Sequence, residues 1–418
     1  MHHSREPKRL LILGSTGSIG RQTIEVVRNL NDARAGENGE SASSFSGSPM
    51  FEMDRLAAGS DAVKLFEQAR ELGVSNLALA EGSDGLPSVP EGAILHTGPA
   101  ASAQLIEDMN PDVVLSAIVG VAGLPATMAA LERGIDVALA NKEALVAAGS
   151  VVTAAARRSG AALLPVDSEH AALWMCLNSA PEGFRFPPFN AGEHVSRITL
   201  TASGGALRDW SKEELAKATP DDALAHPNWA MGAKVTLDTA TLMNKAFELV
   251  EAHWFFDLPA EKLCAVVHPQ SIVHAIADFA DGSSVAQLGL PDMRTPIQYA
   301  LTAPSRPRGL VEHVSFADCR ELTFEQPDRD RFPALSLGHR IAREGGTSGA
   351  IVNAANEAAG RAFFDRLIPF PAVYELTAEA LDAIGTSPLR DLDDAMEADA
   401  EARRFVKRSM EAYASTSG

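Results

Sequence analysis

At 418 residues, 46% hydrophobic and 22% charged, the chain reads as a globular sequence too long for one ordinary core, so two or three domains are expected. A formal net charge of −19 leaves no basic face for a phosphate backbone and argues against general nucleic-acid binding, so any anionic ligand needs a local cationic pocket. Cys176, Cys264 and Cys319 stand far apart with no C-x-x-C pair, which argues against a cysteine metal centre and suits a reducing compartment.

The amino end reads "EPKRLLILGSTG". Its apolar run, Leu10 to Leu13, is too short for a secretory core, and no stretch approaches the ~20 apolar residues that span a bilayer, so a cytoplasmic protein without membrane contact is expected. Short apolar runs at 9–13, 53–57, 76–80, 93–96, 113–117, 136–140 and 162–166 then alternate with helical patterns such as 23–28, 62–72 and 124–133. Most runs are wholly apolar, as in strands covered on both faces, so residues 1–167 are expected to form a doubly wound, Rossmann-like parallel sheet.

Within it, Gly14, Gly17 and Gly20 directly follow the first strand and open a helix, spaced G-x-x-G-x-x-G. Such a turn suits a dinucleotide phosphate at a helix N-terminus; a merely structural turn is the alternative. The polar stretch from Asn29 to Met50 reads as a solvated surface insertion. The second strand ends in "LAAGSDA" with no acid at its very end, although Asp61 is close by and Lys64 follows one turn later, so the residues leave NAD versus NADP open.

At "PVDSEH" a buried run ends in Asp167, Ser168 and Glu169 before a helical pattern resumes. Taken alone, this is either a helix cap or a functional cluster. From Ser168 the runs at 198–202, 265–267, 272–279 and 284–288 partly alternate, and "FADGSS" reads as a hairpin turn, so residues 168–303 are expected to form an α+β unit with a largely antiparallel sheet. Glycines and Trp210 and Trp229 mark residues 203–232 as a candidate lid. A proline-rich linker at 304–328 then leads to a helical unit at 329–418.

A helix is expected from Asp238 as N-cap, with Thr241, Asn244, Lys245 and Glu248 on one polar stripe of an otherwise apolar helix. That stripe is either an exposed face with a Lys245–Glu248 pair or a buried line that needs a ligand. Glu248 joined to Asp167 and Glu169 makes a hard oxygen site suited to Mg²⁺ or Mn²⁺ rather than zinc. Ser203, His226 and Lys245 are residue types that bind a phosphate.

The segments "GSTGSIG", "ANKEALV", "PVDSEH", "TASGG", "HPNWAMGAKVTLDTATLMNKAFE" and "VHPQSIVHAIADFADGSSVAQLGLPDMRTPIQYAL", in this order from about residue 8 to 302, resemble the 1-deoxy-D-xylulose 5-phosphate reductoisomerase family. The resemblance implies NADPH-dependent rearrangement and reduction of that sugar phosphate to 2-C-methyl-D-erythritol 4-phosphate, in non-mevalonate isoprenoid synthesis. It implies a divalent ion (Mg²⁺ or Mn²⁺, with Co²⁺ possible) on Asp167, Glu169 and Glu248, with Lys142 beside these acids in catalysis. Substrate contacts are implied at Lys142, Ser168, Glu169, Ser203, His226, Thr239, Asn244, Lys245 and Glu248, with Trp229 and Met293 packing nearby. Nucleotide contacts are implied at Thr16, Gly17, Ser18, Ile19, Gly59, Ser60, Asp61, Asn141, Glu143 and Gly232, and a homodimer through the antiparallel sheet is expected.

Two departures stand out. Thr239 replaces a frequent serine and keeps its hydroxyl. The loop Gly59-Ser60-Asp61 replaces a G-(K/R)-N pattern, so a cation is missing and an acid added where a 2′-phosphate is expected; Arg21 and Lys64 are the cations that could compensate.

Overall fold

The computed structural model describes residues 6–36, 50–82, 85–179, 183–225 and 231–416. Seven parallel strands form the first sheet: β1 (Lys8–Leu13), β2 (Phe51–Ala58), β3 (Asn76–Leu79), β4 (Ile94–Thr97), β5 (Val113–Ser116), β6 (Asp136–Leu139) and β7 (Leu163–Pro165). Their order, β4-β3-β2-β1-β5-β6-β7, reverses between β1 and β5, and every pairing is parallel. Leu10–Leu13, Val114 and Leu115 have no exposed surface, as continuous apolar strands between two helical layers must. The connections are α1 (Ser18–Gly36), α2 (Ala62–Leu72), α3 (Ala101–Met109), α4 (Leu124–Glu132) and α5 (Lys142–Ser159). In such sheets ligands bind beyond the strands' carboxyl ends, where the order reverses.

Part of the expected 29–50 insertion is ordinary structure. α1 continues to Gly36, and Asn31 ties it back to β2: its side-chain oxygen accepts from the Met50 and Phe51 amides at 2.8 and 3.0 Å, and its Nδ2 donates to the Phe51 carbonyl at 2.9 Å. The rest of that stretch, 37–49, lies outside the described residues, as do His226 and Trp229.

From β7 the chain enters α6 (Ser168–Leu177) and then a second sheet of β8 (Val195–Ala202), β9 (Leu263–Val267), β10 (Val273–Phe279) and β11 (Ser284–Leu288). Its order is β11-β10-β8-β9, and the 279–284 hairpin is present. The sheet is mixed: β10 runs antiparallel to both neighbours, whereas β8 and β9 pair in parallel, because the chain between them crosses over through α7 (Lys212–Leu215), α8 (Pro220–Leu224), α9 (Ala233–Ala240) and α10 (Met243–Phe256). The 304–328 stretch is anchored rather than free: Val267 and Glu325 exchange backbone hydrogen bonds of 2.9 Å on the outer side of β9.

The helix expected from Asp238 is two helices. Leu242 adopts a left-handed conformation (φ 61°), ending α9 and starting α10 on a new axis. Asp238 therefore lies inside α9 rather than at a cap, and the Thr241 hydroxyl bonds the Asp238 carbonyl at 3.1 Å instead of joining the polar stripe.

After α11 (Arg294–Thr302), the helices α12 (Leu335–Glu344), α13 (Ser348–Phe364), α14 (Phe370–Ile384) and α15 (Leu392–Thr416) pack together, α12 against α10 and α13 against α5. A Cβ on Gly349 would sit 1.8 Å from the Val146 carbonyl oxygen, so α13 reaches α5 at backbone contact. Among the described residues, no helix is long and apolar enough to cross a membrane.

Candidate active site

The turn after β1 is shaped by two absent side chains. Gly14 has φ +81°, and a Cβ there would lie 2.6 Å from the Ala117 carbonyl oxygen; one on Gly20 would lie 2.4 Å from the Gly14 oxygen. Removing both lets α1 begin against the turn with Ser18 and Ile19 at its open N-terminus. Thr16 is half-buried, whereas Gly17 and Ser18 are exposed, as a backbone cradle for an anion requires. Beside it, Asn141 caps α5 through the Ala144 amide (2.9 Å) and donates Nδ2 to the Ile118 and Gly120 carbonyls at 2.6 and 3.0 Å, fixing the loop after β5.

Gly59 and Ser60 are exposed at the end of β2. Asp61 caps α2 by accepting from the Lys64 amide at 3.1 Å and holds the Lys64 ammonium at 2.7 Å, so the one nearby lysine is spent on the acid.

A cavity of about 500 Å³ runs from this cradle toward the second sheet, within the usual size range of small-molecule sites. Ser18 and Ile19 line the end at the Gly14–Gly20 turn, and Gly232, Val235 and Thr239 one wall. Ser203 and Met293 face it from the second sheet's side, and Lys142, Asp167, Ser168, Glu169, Asn244, Lys245 and Glu248 are among its other lining residues.

The acids meet because α6 starts where β7 ends and α10 passes across it. Asp167 is the α6 N-cap and accepts from the Ser168 amide at 2.9 Å, so cap and cluster are the same residue. One ligand oxygen from each of Asp167, Glu169 and Glu248 lies within 4.8 Å of the others. Oxygens bound about 2.1 Å from one octahedral ion stand roughly 3 to 4 Å apart, so the trio fits a divalent ion after small side-chain shifts. Ser168 donates to Glu169, and Asn244 to Glu248 at 2.5 Å.

Two ammonium groups lie among these carboxylates. Lys142 pairs with Asp167, with Glu248 at 3.3 Å and with Glu251 at 3.5 Å. Lys245 pairs with Glu248 and with Glu169 at 2.7 Å. Lys245 and Glu248 are 3% and 1% exposed, so the polar stripe is buried and the open-face reading fails. Burial works against the Lys142 ammonium, but Asp167, Glu248 and Glu251 outweigh it and hold its pKa well above the usual lysine range. Burial likewise opposes ionisation of Asp167, yet Lys142 and His170 keep it well below the usual carboxylate range. Glu248 is raised, by burial and by its neighbour Glu169.

The sequence reading missed two residues behind the trio, His170 and Glu251. His170 donates Nε2–H to the Glu248 carbonyl at 2.8 Å; its Nδ1 lies 3.6 Å from Asp167 and 3.8 Å from Glu251. Burial opposes its charged form, but Glu251 and Asp167 raise its pKa to about 9, while burial pushes Glu251 up to about 7. Their signal was spacing: each lies three positions after an acid of the trio, on the same helical face. His274, also missed, lines the cavity with its Nε2 3.2 Å from the Gly289 carbonyl. The cluster thus interleaves the carboxylates of Asp167, Glu169, Glu248 and Glu251 with the basic groups of Lys142, Lys245 and His170.

A doubly wound sheet opening onto a cavity of clustered acids and lysines has the parts of a nucleotide-dependent, metal-assisted enzyme. Family models described as 1-deoxy-D-xylulose 5-phosphate reductoisomerase match residues 10–38 and 39–149, and models of its C-terminal domains match 163–256 and 288–405. The 1-deoxy-D-xylulose 5-phosphate reductoisomerase of Heliobacterium modesticaldum is 44% identical over 410 residues, covering 96% of each chain. That of Gloeobacter violaceus is 43% identical, covering 96% of this chain and 97% of its own. The Zymomonas mobilis enzyme solved with NADPH superposes with a TM-score of 0.84 at 36% identity, over 97% of this chain and all 100% of that one. A DOX-P reductoisomerase solved with NADPH, fosmidomycin and magnesium gives 0.85 at 33% identity, covering 97% and 98%. The chain belongs to the 1-deoxy-D-xylulose 5-phosphate reductoisomerase family.

Proposed function

We propose that this chain converts 1-deoxy-D-xylulose 5-phosphate to 2-C-methyl-D-erythritol 4-phosphate with NADPH and Mg²⁺ or Mn²⁺, a step of non-mevalonate isoprenoid synthesis. The observation that carries the reading is the convergence of Asp167, Glu169 and Glu248 beside Lys142 and Lys245, at one end of a cavity whose other end is the Gly14–Gly20 turn. When bound, the ion supplies Lewis-acid polarisation of a substrate carbonyl and NADPH supplies the hydride.

The chain's own residues do the rest. The Lys142 ammonium, paired with Asp167, Glu248 and Glu251, orients and neutralises the acids. Ser203, His226, Asn244 and Lys245 hold the phosphate, Ser168 and Thr239 contact the sugar, and Trp229 and Met293 pack against it, so phosphate binding energy orients the reacting end. Thr16–Ile19, Gly59–Asp61, Asn141, Glu143 and Gly232 surround the nucleotide. His170 and Glu251 brace Asp167 and Glu248 from behind.

Residues 1–167 serve as the nucleotide unit, 168–303 as the catalytic and dimerising unit with a lid near 203–232, 304–328 as linker and 329–418 as a helical buttress. A cytoplasmic homodimer pairing through the second sheet is part of the same reading, supported by the outer position of β11. The test is NADPH oxidation on adding 1-deoxy-D-xylulose 5-phosphate, with and without EDTA. Oxidation lost on chelation and restored by Mn²⁺ is expected; binding of NADPH without oxidation would leave a nucleotide sensor.

A further inference from the structure

Beside the cavity wall, apart from the acid trio, the partly exposed Lys234 meets two buried carboxylates. Lys234, in the first turn of α9, places its ammonium 3.1 Å from Glu143 Oε1 and 2.8 Å from Asp238 Oδ2, and 5.0 Å above the centre of the Phe247 ring. Glu143 Oε2 in turn accepts from Asn141 Nδ2 at 2.9 Å, and Asp238 Oδ1 accepts from Asn356 Nδ2 at 2.8 Å. Asn141, Glu143, Asp238 and Asn356 are all 5% exposed or less. The chain of contacts therefore runs without interruption from the loop after β5, through the start of α5 and the start of α9, to α13.

We infer that Lys234 is a positioning residue that clamps the cofactor-side turn Asn141–Glu143 to the α9 wall of the cavity and so sets the affinity for the nicotinamide nucleotide. This rests on the function proposed above. The two ends of the clamp bracket the cavity: Lys142, between Asn141 and Glu143, lines one side, and Gly232 and Val235, flanking Lys234, line the other. Glu143 precedes Lys234 by 91 positions, and their ion pair bridges the two segments.

An ammonium serving two buried carboxylates is sensitive to its own removal. Without it, Glu143 and Asp238 are left unneutralised in a water-poor setting, a costly arrangement that they relieve by moving apart or taking up protons. Either response releases Glu143 from α9. Asn141 keeps its bonds to Ala144, Ile118 and Gly120, but the Glu143 carboxylate that its Nδ2 also meets shifts, and the turn that faces the crevice between β1 and β5 shifts with it. Lys142 lies in the same turn but keeps its own pairs to Asp167, Glu248 and Glu251, and Lys245 keeps those to Glu169 and Glu248, so metal binding is expected to survive the change.

The test is Lys234→Met in the full-length chain, with NADPH affinity read by fluorescence titration in the absence of substrate. Expected are a Kd for NADPH raised at least about tenfold, a matching rise in its KM with kcat at saturation little changed, an unaltered Mn²⁺ affinity, and recovery of most of the NADPH affinity in Lys234→Arg. A purely structural lysine would lower Tm and leave the NADPH Kd within about twofold of the parent, which would overturn the clamp. Should the single variant fold poorly, the pair Lys234→Met with Asp238→Asn removes one charge of each sign while still breaking the link to Glu143, and the same two outcomes apply to it. A parent chain that itself bound no NADPH would instead overturn the proposed function.

Discussion

The two ends of the cavity are built on opposite plans. The end proposed for the nucleotide is made of backbone: Gly14 to Gly20 offers amides at the start of α1, and its shape comes from Cβ atoms that are missing. The other end is made of ionisable side chains drawn from Lys142 to Glu251, on α5, α6 and α10. A backbone site is contained in a few consecutive residues and tolerates any side chain that does not intrude. A site of balanced charge depends on the assembled fold and tolerates the loss of none of its members.

That contrast can be broken by exchanging readouts between the ends. Glu248→Gln is expected to lower turnover by at least about 10²–10³-fold, the scale for losing one charge-stabilising group, while NADPH affinity stays within error by fluorescence titration. Glu251→Gln, one step back from the trio, is expected to weaken divalent-ion binding by about 10- to 100-fold in a calorimetric titration, as removal of a supporting partner does. Gly20→Ala acts on the other end. Its Cβ would meet backbone atoms at 2.4–2.6 Å, so a loss of about 1–3 kcal/mol in stability by urea denaturation is expected, with weakened NADPH binding and unchanged Mn²⁺ binding.

Smaller effects sharpen the comparison. Asp61→Asn removes one unit of negative charge from the nucleotide end and frees Lys64, so NADPH affinity relative to NADH is expected to rise severalfold, matching about 1 kcal/mol for one charge near a phosphate in water. An unchanged ratio would place the 2′-phosphate elsewhere. The smallest expected signal comes from Cys176, whose thiol is pushed up to about 12 by burial in α6. Its thiolate fraction rises only as pH approaches that value, so at pH 8 iodoacetamide should leave Cys176 unmodified in the folded chain by mass spectrometry and alkylate it only after denaturation.

The same contrast explains what the sequence disclosed. Most of the parallel strands were legible because burial on both faces writes them as apolar runs, and the observed ends differ from the expected ones by at most one residue over β1 and β3–β7 and by two at the start of β2. The glycine turn that opens α1 was legible because its glycines follow the first strand directly. The acid trio was suggested by residue type and by the family resemblance; no spacing rule joins residue 169 to residue 248. What stayed hidden was set by tertiary context. Leu242 in a left-handed conformation is invisible to helical periodicity, so the break between α9 and α10 was read as one helix. The parallel pairing of β8 with β9 depends on a crossover, and the pinning of Glu325 to β9 on a contact 58 positions apart in sequence, 325 − 267. His170 and Glu251 gain their meaning only when α6 and α10 cross.

The claim on which the rest depends is that Asp167, Glu169 and Glu248 hold one divalent ion between them. Electron paramagnetic resonance titration of Mn²⁺ into the purified chain measures this directly, without substrate or nucleotide. One ion bound per chain, with affinity falling sharply in Asp167→Asn and in Glu248→Gln alike, is the expected result. Equal Mn²⁺ binding by the parent and both variants would contradict it.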